Sequence, residues 1–303
     1  MSSENKKLSI KGSNNSLRLD LLPKCFAVSA VVGIALRILQ MAKFIDPETG
    51  FYAGGGIVNV IFYIVLAVAI IAFCAVTYLS ADVKKIEIGG DSNKAASIGT
   101  RLFAVAMLFD SYSSITSSSM LAGYSDIDPM RSGFLPMMLQ SFFAFLSAIY
   151  FFILASDFSK GTAKAYKRKI LATAPVSWAA ARLITRFMRQ ISFVQVSDLF
   201  LELVMIAFMI MFFMALAQTA SGVYKDQFKW RIPGLGLSAG LIAAVISVPR
   251  LIFTIFSNSH IVSEHPFSLA DFIFVIFIFT LMIKIKEDAD RPSVSAEYEN
   301  KAE

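Results

Sequence analysis

Long runs of apolar residues alternate with short polar segments along most of the chain. Each run has about 20 residues, the length that an α-helix needs to cross about 30 Å of hydrocarbon at about 1.5 Å per residue. The predicted spans cover residues 22–42, 55–80, 98–121, 134–156, 173–193, 197–220, 234–257 and 268–284. The pattern therefore predicts an all-α, polytopic transmembrane helix bundle of about eight spans, arranged as four hairpins.

Polar residues fill both ends of the chain, where Ser, Asn, Lys and Glu dominate, and the connections between the apolar runs are short. We therefore expect a polar N-terminal tail over 1–21, a transmembrane domain over 22–284 and a polar C-terminal tail over 285–303. This division leaves no stretch outside the membrane that is long enough for a separate catalytic domain.

Lysine and arginine are distributed unevenly between the two sides of the predicted bundle. With both termini in the cytoplasm, the inner segments hold 20 of the 28 basic residues and the outer segments hold three. Such a bias is typical of cytoplasmic loops and favours cytoplasmic termini. The bias also supports the fifth span, 173–193, whose apolar pattern is the weakest. The basic loops 158–172 and 221–233 lie on the same side of the membrane only if two crossings separate them.

Composition excludes several other classes of protein. The chain is 56% hydrophobic and 17% charged, with a mean hydropathy of +0.64, whereas soluble domains are about 45–50% apolar and about 25% charged. Continuous apolar runs also exclude an outer-membrane β-barrel. The net charge of +6 indicates contact with anionic lipids of the bilayer rather than with nucleic acid. We expect a bacterial cytoplasmic membrane, with a eukaryotic endomembrane as the alternative.

Cysteine and histidine provide no clear site for a metal or a cofactor. Cys25 and Cys74 lie in apolar spans, where a thiol behaves as a small hydrophobic group. His260 and His265 flank Glu264 in one loop, and their spacing matches no helical zinc motif. Nucleotide-binding and hydrolase motifs are also missing. We therefore expect no metal, no cofactor and no catalytic residue, and keep a membrane-embedded lipid-modifying enzyme as a third alternative.

Ionisable residues inside the predicted spans carry the strongest functional signal. A charge near the middle of a membrane costs at least about 2.5–3.5 kcal/mol, so each one requires a partner or a wet cavity. The candidates for ligand binding are Arg37, Asp110, Arg182, Arg186, Glu202 and Arg250. Two further residues, Arg101 and Asp271, lie near the ends of their spans, and we expect their side chains to reach the membrane surface.

The fifth and sixth spans predict a ladder of opposite charges. Arg186 and Glu202 lie at equal distances from the turn that joins these spans, and Arg189 and Asp198 lie at nearly equal distances from it. Equal distances give equal depths in two antiparallel helices, so we expect the pairs Arg186–Glu202 and Arg189–Asp198. On the same reasoning, Arg182 has no partner on the sixth span.

The outer half of the third span is rich in hydroxyl groups. Asp110 is followed by eight hydroxyl-bearing residues within 111–119. Serine also promotes close packing of membrane helices, but so many hydroxyls after an aspartate favour a water-accessible face. We expect Asp110 to pair with Arg182 or Arg37, or to carry a proton.

The seventh span combines a proline with an arginine. Pro249 precedes Arg250, and a proline inside a helix removes a backbone donor and favours a kink. Gly236 and Gly240 in the same span form a GxxxG pair, which predicts a close contact with another helix.

The balance of charge inside the spans leads to the functional hypothesis. Among the eight ionisable residues named above as candidates or span-end residues, arginines outnumber acids by five to three. We therefore expect a transporter or permease-like protein that binds a small anionic or zwitterionic solute in an arginine-rich cavity in the outer half of the membrane. The alternative is a non-catalytic sensor or accessory subunit, whose intramembrane charges pair internally or with a membrane partner or a second copy. An acid within hydrogen-bond reach of every arginine would favour that alternative.

Overall fold

The computed structural model describes residues 2–44, 54, 56–80, 92–122, 134–162, 164–165, 168–188, 196–221, 229–256 and 267–290. The α-helices in these ranges are α1 (Ser2–Lys43), α2 (Gly56–Leu79), α3 (Lys94–Ala122), α4 (Phe134–Lys160), α5 (Ala174–Met188), α6 (Val196–Ala220), α7 (Arg231–Phe256) and α8 (Leu269–Asp290). A short 3₁₀ helix (Leu171–Thr173) directly precedes α5. All regular elements in these ranges are helical, as the apolar pattern predicts.

Five helices within the described ranges are long and apolar enough to cross a membrane. The candidate spans are Leu21–Lys43, Gly56–Leu79, Phe134–Lys160, Asp198–Ala220 and Arg231–Phe256. The chain is therefore a membrane protein with several apolar helices, while the total of eight spans and their orientation remain predictions.

Two helices differ in length from the predicted spans. The first helix begins at Ser2 rather than near residue 22, so the polar N-terminal residues continue the helix of the first span. The α5 helix has 15 residues, about 22 Å at about 1.5 Å per residue, which is shorter than the hydrocarbon core. Residues 189–193 of the predicted fifth span lie outside the described ranges.

The α7 helix lies at the centre of the bundle, where it contacts α1, α2, α6 and α8. Its residues from Ile232 to Arg250 are almost all buried. A Cβ atom on Gly236 or Gly240 would lie 3.3 Å from the side chain of Ile278 in α8. The close helix contact predicted from the GxxxG pair is therefore confirmed.

The α3 and α8 helices pack against each other in antiparallel register. Asn93, just before α3, donates a hydrogen bond to Glu287 Oε2 (2.5 Å). About two and a half turns into α3, the ring of Phe103 stacks on that of Phe277, with centroids 5.1 Å apart. Extending this register places Leu269, the first residue of α8, level with the middle of α3. The α8 helix therefore begins inside the bundle rather than at its outer end, the end that the charge bias predicts to face away from the cytoplasm.

Aromatic rings fill the core on the inner side of that level. Their centroids are separated by 4.8 to 6.3 Å, within the range of favourable ring contacts. The six rings, all fully buried, are those of Phe103, Phe151, Phe212, Phe213, Phe274 and Phe277. This packed layer forms an apolar floor beneath the polar residues described next.

Candidate functional site

A cavity of about 160 Å³ lies among α3, α4, α5 and the first turn of α8. Its polar lining consists of Asp110, Ser113, Ser114, Ser117, Gln140, Arg182, Thr185, Arg186 and Ser268. An engineered cavity of about 150 Å³ accepts a benzene molecule, so the space suits a solute of about that size. The lining offers one carboxylate, two guanidinium groups and several hydroxyls to such a solute.

Asp110 joins three helices at the cavity wall. Its Oδ2 atom accepts hydrogen bonds from Trp178 Nε1 of α5 (2.8 Å) and from Gln140 Nε2 of α4 (3.2 Å). Its Oδ1 atom accepts none from the part of the chain that the structure describes. The expected pairing of Asp110 with Arg182 or Arg37 is not observed among those residues, because both arginines bind other acids, Arg182 in α8 and α6 and Arg37 in α6.

Arg182 is held by a buried carboxylate of α8. Its Nη1 and Nη2 atoms donate to Asp271 Oδ1 (2.5 Å) and Oδ2 (2.7 Å), the two-pronged geometry that arginine and carboxylate favour. Asp271 is only 1% exposed, so the expectation that its side chain reaches the membrane surface is wrong. The reason is that α8 begins inside the bundle, which places its first turn far below the outer ends of its neighbours.

Glu202 of α6 binds two arginines of α5. Arg186 Nη2 donates to Glu202 Oε1 over 2.5 Å, which confirms the predicted ion pair. Arg182 Nη2 lies 3.4 Å from the same oxygen, so the expectation that Arg182 lacks a partner on the sixth span is wrong. Arg182 and Arg186 are four residues apart and therefore share one face of α5. The long side chain of Arg182 spans the difference in height between its own turn and Glu202.

A second cluster, formed by Arg37, Asp198 and Arg250, joins α1, α6 and α7. Arg37 is ion-paired with Asp198 and donates through Nη1 to Gln40 Oε1 (3.0 Å). Arg250 Nη2 lies 3.7 Å from Asp198 Oδ2, and this buried nitrogen makes no hydrogen bond to the described residues. The predicted partner of Asp198, Arg189, lies outside the described ranges.

The structure therefore divides the six predicted site residues into three groups. Asp110, Arg182 and Arg186 line the cavity. Glu202 does not line the cavity but binds both of these arginines. Arg37 and Arg250 belong to the second cluster and do not line the cavity. Sequence reasoning missed Trp178, although its position four residues before Arg182 places both side chains on one helix face.

Positive and negative charges are equal in number across the cavity and the second cluster. The arginines are Arg37, Arg182, Arg186 and Arg250, and the acids are Asp110, Asp198, Glu202 and Asp271. The expected excess of arginine is therefore wrong for this region, because Arg101 is exposed and Asp198 joins the acids. A region so balanced does not attract an anion by net charge alone.

The hydroxyl groups of α3 divide into two sets. Ser113, Ser114 and Ser117 line the cavity, which agrees with a polar face on the outer half of this helix. Ser111 and Ser141 of α4 instead exchange hydrogen bonds with each other's backbone carbonyls, over 2.9 Å in both directions. The serine run therefore supplies both polar lining and close helix packing.

No group of three or more His, Cys, Asp or Glu side chains within the described ranges is arranged to hold a metal ion. The histidine pair that the sequence singles out, His260 and His265, lies outside those ranges, as does Glu264 between them. The chemistry open to the cavity is therefore that of carboxylate, guanidinium, amide and hydroxyl groups.

Comparison with known proteins identifies no relative of the chain. No protein-family model matches it, and neither a curated protein nor a solved structure matches it significantly. Any functional assignment therefore depends on the residues and the geometry described above.

Proposed function

We propose that this membrane protein binds a small zwitterionic solute in the cavity among α3, α4, α5 and α8, and acts as a transporter or permease in a bacterial cytoplasmic membrane. The observation that carries the proposal is the meeting of Asp110 with Arg182 and Arg186 around one cavity of about 160 Å³. The proposal assigns no catalytic residue and no cofactor.

Of the two kinds of solute that the sequence suggested, anionic or zwitterionic, balanced charge favours the zwitterion. Arg182 already has two bonds to Asp271, and Arg186 is bound to Glu202. A lone anion would add an uncompensated negative charge to a neutral, buried region, where an unpaired charge is costly. A zwitterion adds one charge of each sign, so it keeps the region neutral.

The lining of the cavity offers complementary partners to the two ends of such a solute. Asp110 Oδ1 has no partner among the described residues and can accept hydrogen bonds from an ammonium group. The lining also contains Arg182, Ser268 directly before α8, and Ala270 in the first turn of α8. Backbone N–H groups and the positive end of the helix dipole at a helix N-terminus favour a carboxylate there.

Helix ends at the level of the cavity also support a transport role. The α8 helix begins level with the middle of α3, and α5 has only 15 residues. Transporters commonly bind solutes near the middle of the membrane, at helices that begin or break there.

The test is a binding screen on the purified full-length protein. Thermal unfolding would be measured with a panel of small amino acids and betaines, and with carboxylates and amines of matching size. We expect stabilisation by some zwitterions, and a loss of at least about tenfold in affinity in Asp110→Asn, since one charge-assisted hydrogen bond contributes about 1.5–3 kcal/mol.

Ser111→Ala is the matched control, because Ser111 directly follows Asp110 in α3 but bonds to α4 outside the cavity; the affinity of this variant for the solute should stay unchanged. Uptake of the selected solute into proteoliposomes then tests transport. Stabilisation by simple anions alone, or equal affinity in Asp110→Asn and the unmodified protein, would contradict the proposal.

A second candidate function is a non-catalytic sensor or accessory subunit. The specific observation in its favour is that all four interior arginines form ion pairs with acids of the same chain, although the contact of Arg250 with Asp198 is as long as 3.7 Å. This candidate predicts that Arg186→Gln lowers stability while no member of the solute panel binds.

A further inference from the structure

A larger groove lies on the surface of the bundle, where the connection from α4 leads into α5. Its volume is about 890 Å³, within the range of about 300–1,000 Å³ typical of ligand pockets. Phe143 and Leu146 of α4 form one wall, and Arg168, Lys169 and Leu171 lie on the other side. The groove is therefore apolar along most of its length and basic at one end.

The register of the helices places this basic end near one surface of the membrane. Asp110 and Trp178 are hydrogen-bonded and lie at one height, near the middle of α3. Lys169 lies nine residues before Trp178, and the exposed Arg101 lies nine residues before Asp110. Nine residues rise about 13 Å in a helix, close to half of a hydrocarbon core of about 30 Å. Basic residues on two separate segments thus share the depth expected for lipid headgroups.

Charge at this end of the groove is not compensated by the part of the chain that the structure describes. Arg168 and Lys169 are exposed, neither forms an ion pair within the described ranges, and no acid lines the groove. The charge bias of the sequence predicts that this end faces the cytoplasm, where bilayers present anionic lipids to basic residues.

We propose that the groove binds one anionic phospholipid. Its phosphate lies between Arg168 and Lys169, and one acyl chain lies along Phe143 and Leu146. A lipid with a choline headgroup is a poorer fit, because its own cation would lie beside two basic side chains. The proposal is independent of the solute proposed for the inner cavity, since the two sites share no lining residue.

The test is native mass spectrometry of the detergent-purified, full-length protein with phosphatidylglycerol or phosphatidylcholine added at equal concentrations. We expect one phosphatidylglycerol to be retained preferentially. The double variant Arg168→Gln/Lys169→Gln should lose about 25-fold in affinity for it, because each basic residue near a membrane surface contributes a factor of about five.

Two further variants separate this site from general surface charge. Lys160→Gln/Lys164→Gln removes the same charge from exposed residues of the same connection that do not line the groove, and should change the affinity less than twofold. Ser177→Trp places a ring in the groove and keeps both charges, and should also abolish preferential retention. Gel filtration and circular dichroism would show that each variant is folded.

Three outcomes would overturn the proposal. They are equal retention of the two lipids by the unmodified protein, an equal loss of phosphatidylglycerol in the control Lys160→Gln/Lys164→Gln, and unchanged retention in folded Ser177→Trp. If Ser177→Trp does not fold, the comparison of the two charge variants still decides the question.

Discussion

Asp271→Asn is expected to destabilise the protein more than any loss of a neutral hydrogen bond could. Asparagine has nearly the same volume as aspartate, so packing around α8 is preserved, but the negative charge is lost. Among its ion pairs to the described residues, Arg182 would then keep the contact of 3.4 Å with Glu202, an acid that already binds Arg186. The substitution therefore leaves two guanidinium groups with one carboxylate in a region where Asp271 is 1% exposed.

The size of the effect identifies its cause. Removing one partner of a buried ion pair costs about 3–5 kcal/mol, because the other charge remains buried without compensation. Hydrogen bonds between membrane helices contribute about 0.6 kcal/mol on average and about 1.7 kcal/mol at most in double-mutant cycles. A loss of about 3 kcal/mol or more in Asp271→Asn thus indicates an uncompensated charge, whereas about 1 kcal/mol indicates a neutral contact.

The assay is unfolding by sodium dodecyl sulfate in mixed micelles, followed by circular dichroism. The double variant Arg182→Met/Asp271→Leu removes both charges, keeps the pair Arg186–Glu202 and should recover most of the lost stability. Ser111→Ala is the control, since it removes a neutral hydrogen bond between α3 and α4 and no charge; we expect a loss of about 0.6 kcal/mol. If Asp271→Asn costs no more than Ser111→Ala, or if the double variant is as unstable as Asp271→Asn, the reasoning is refuted.

Three further predictions use different parts of the structure. Gly99→Ala should cost about 1–3 kcal/mol by the same assay, because a Cβ atom there would collide with Thr280. Adding Thr280→Ala should restore part of the loss, because it removes Oγ1 and Cγ2 but keeps the Cβ atom 2.9 Å away. Trp178→Phe should cost at least about 1 kcal/mol, because it removes the hydrogen bond to Asp110 and leaves a smaller ring at a fully buried position; an unchanged unfolding midpoint would contradict this. Lys164→Cys, in a chain without its natural cysteines, should react with an impermeant thiol reagent only from the cytoplasmic side, and labelling from outside would invert the predicted orientation.

Much of the helical structure could be predicted because the information is local. The predicted span 55–80 corresponds to Gly56–Leu79, and 197–220 corresponds to Val196–Ala220. In hydrocarbon every backbone polar group needs a partner within its own segment, so a long apolar run has to form a helix. The ion pair Arg186–Glu202 was predictable for a related reason, because two helices joined by a short turn are neighbours at known depths.

Contacts between helices far apart in the sequence could not be predicted in this way. Asp198 is bound by Arg37, and nothing in the apolar pattern tells which helices surround α6. The predicted depth of Asp271 was wrong, because it was counted from the end of the apolar run to which Asp271 belongs. The run for α8 begins inside the bundle, and only its packing on α3 reveals this.

Stability alone does not explain why the interior retains so many charges. Apolar residues of similar volume often replace buried ion pairs without loss, and sometimes with a gain of about 1–4 kcal/mol. Arg182→Met/Asp271→Leu therefore separates the two candidate functions. If the charges only hold the helices together, this variant keeps every property of the protein. If the cavity binds a zwitterion, the double variant remains folded but no longer binds the solute, because Arg182 is one of the residues that line the cavity. A double variant that is stable but no longer binds the solute would thus favour the transporter. A double variant that is stable and still binds the solute would exclude Arg182 from the site.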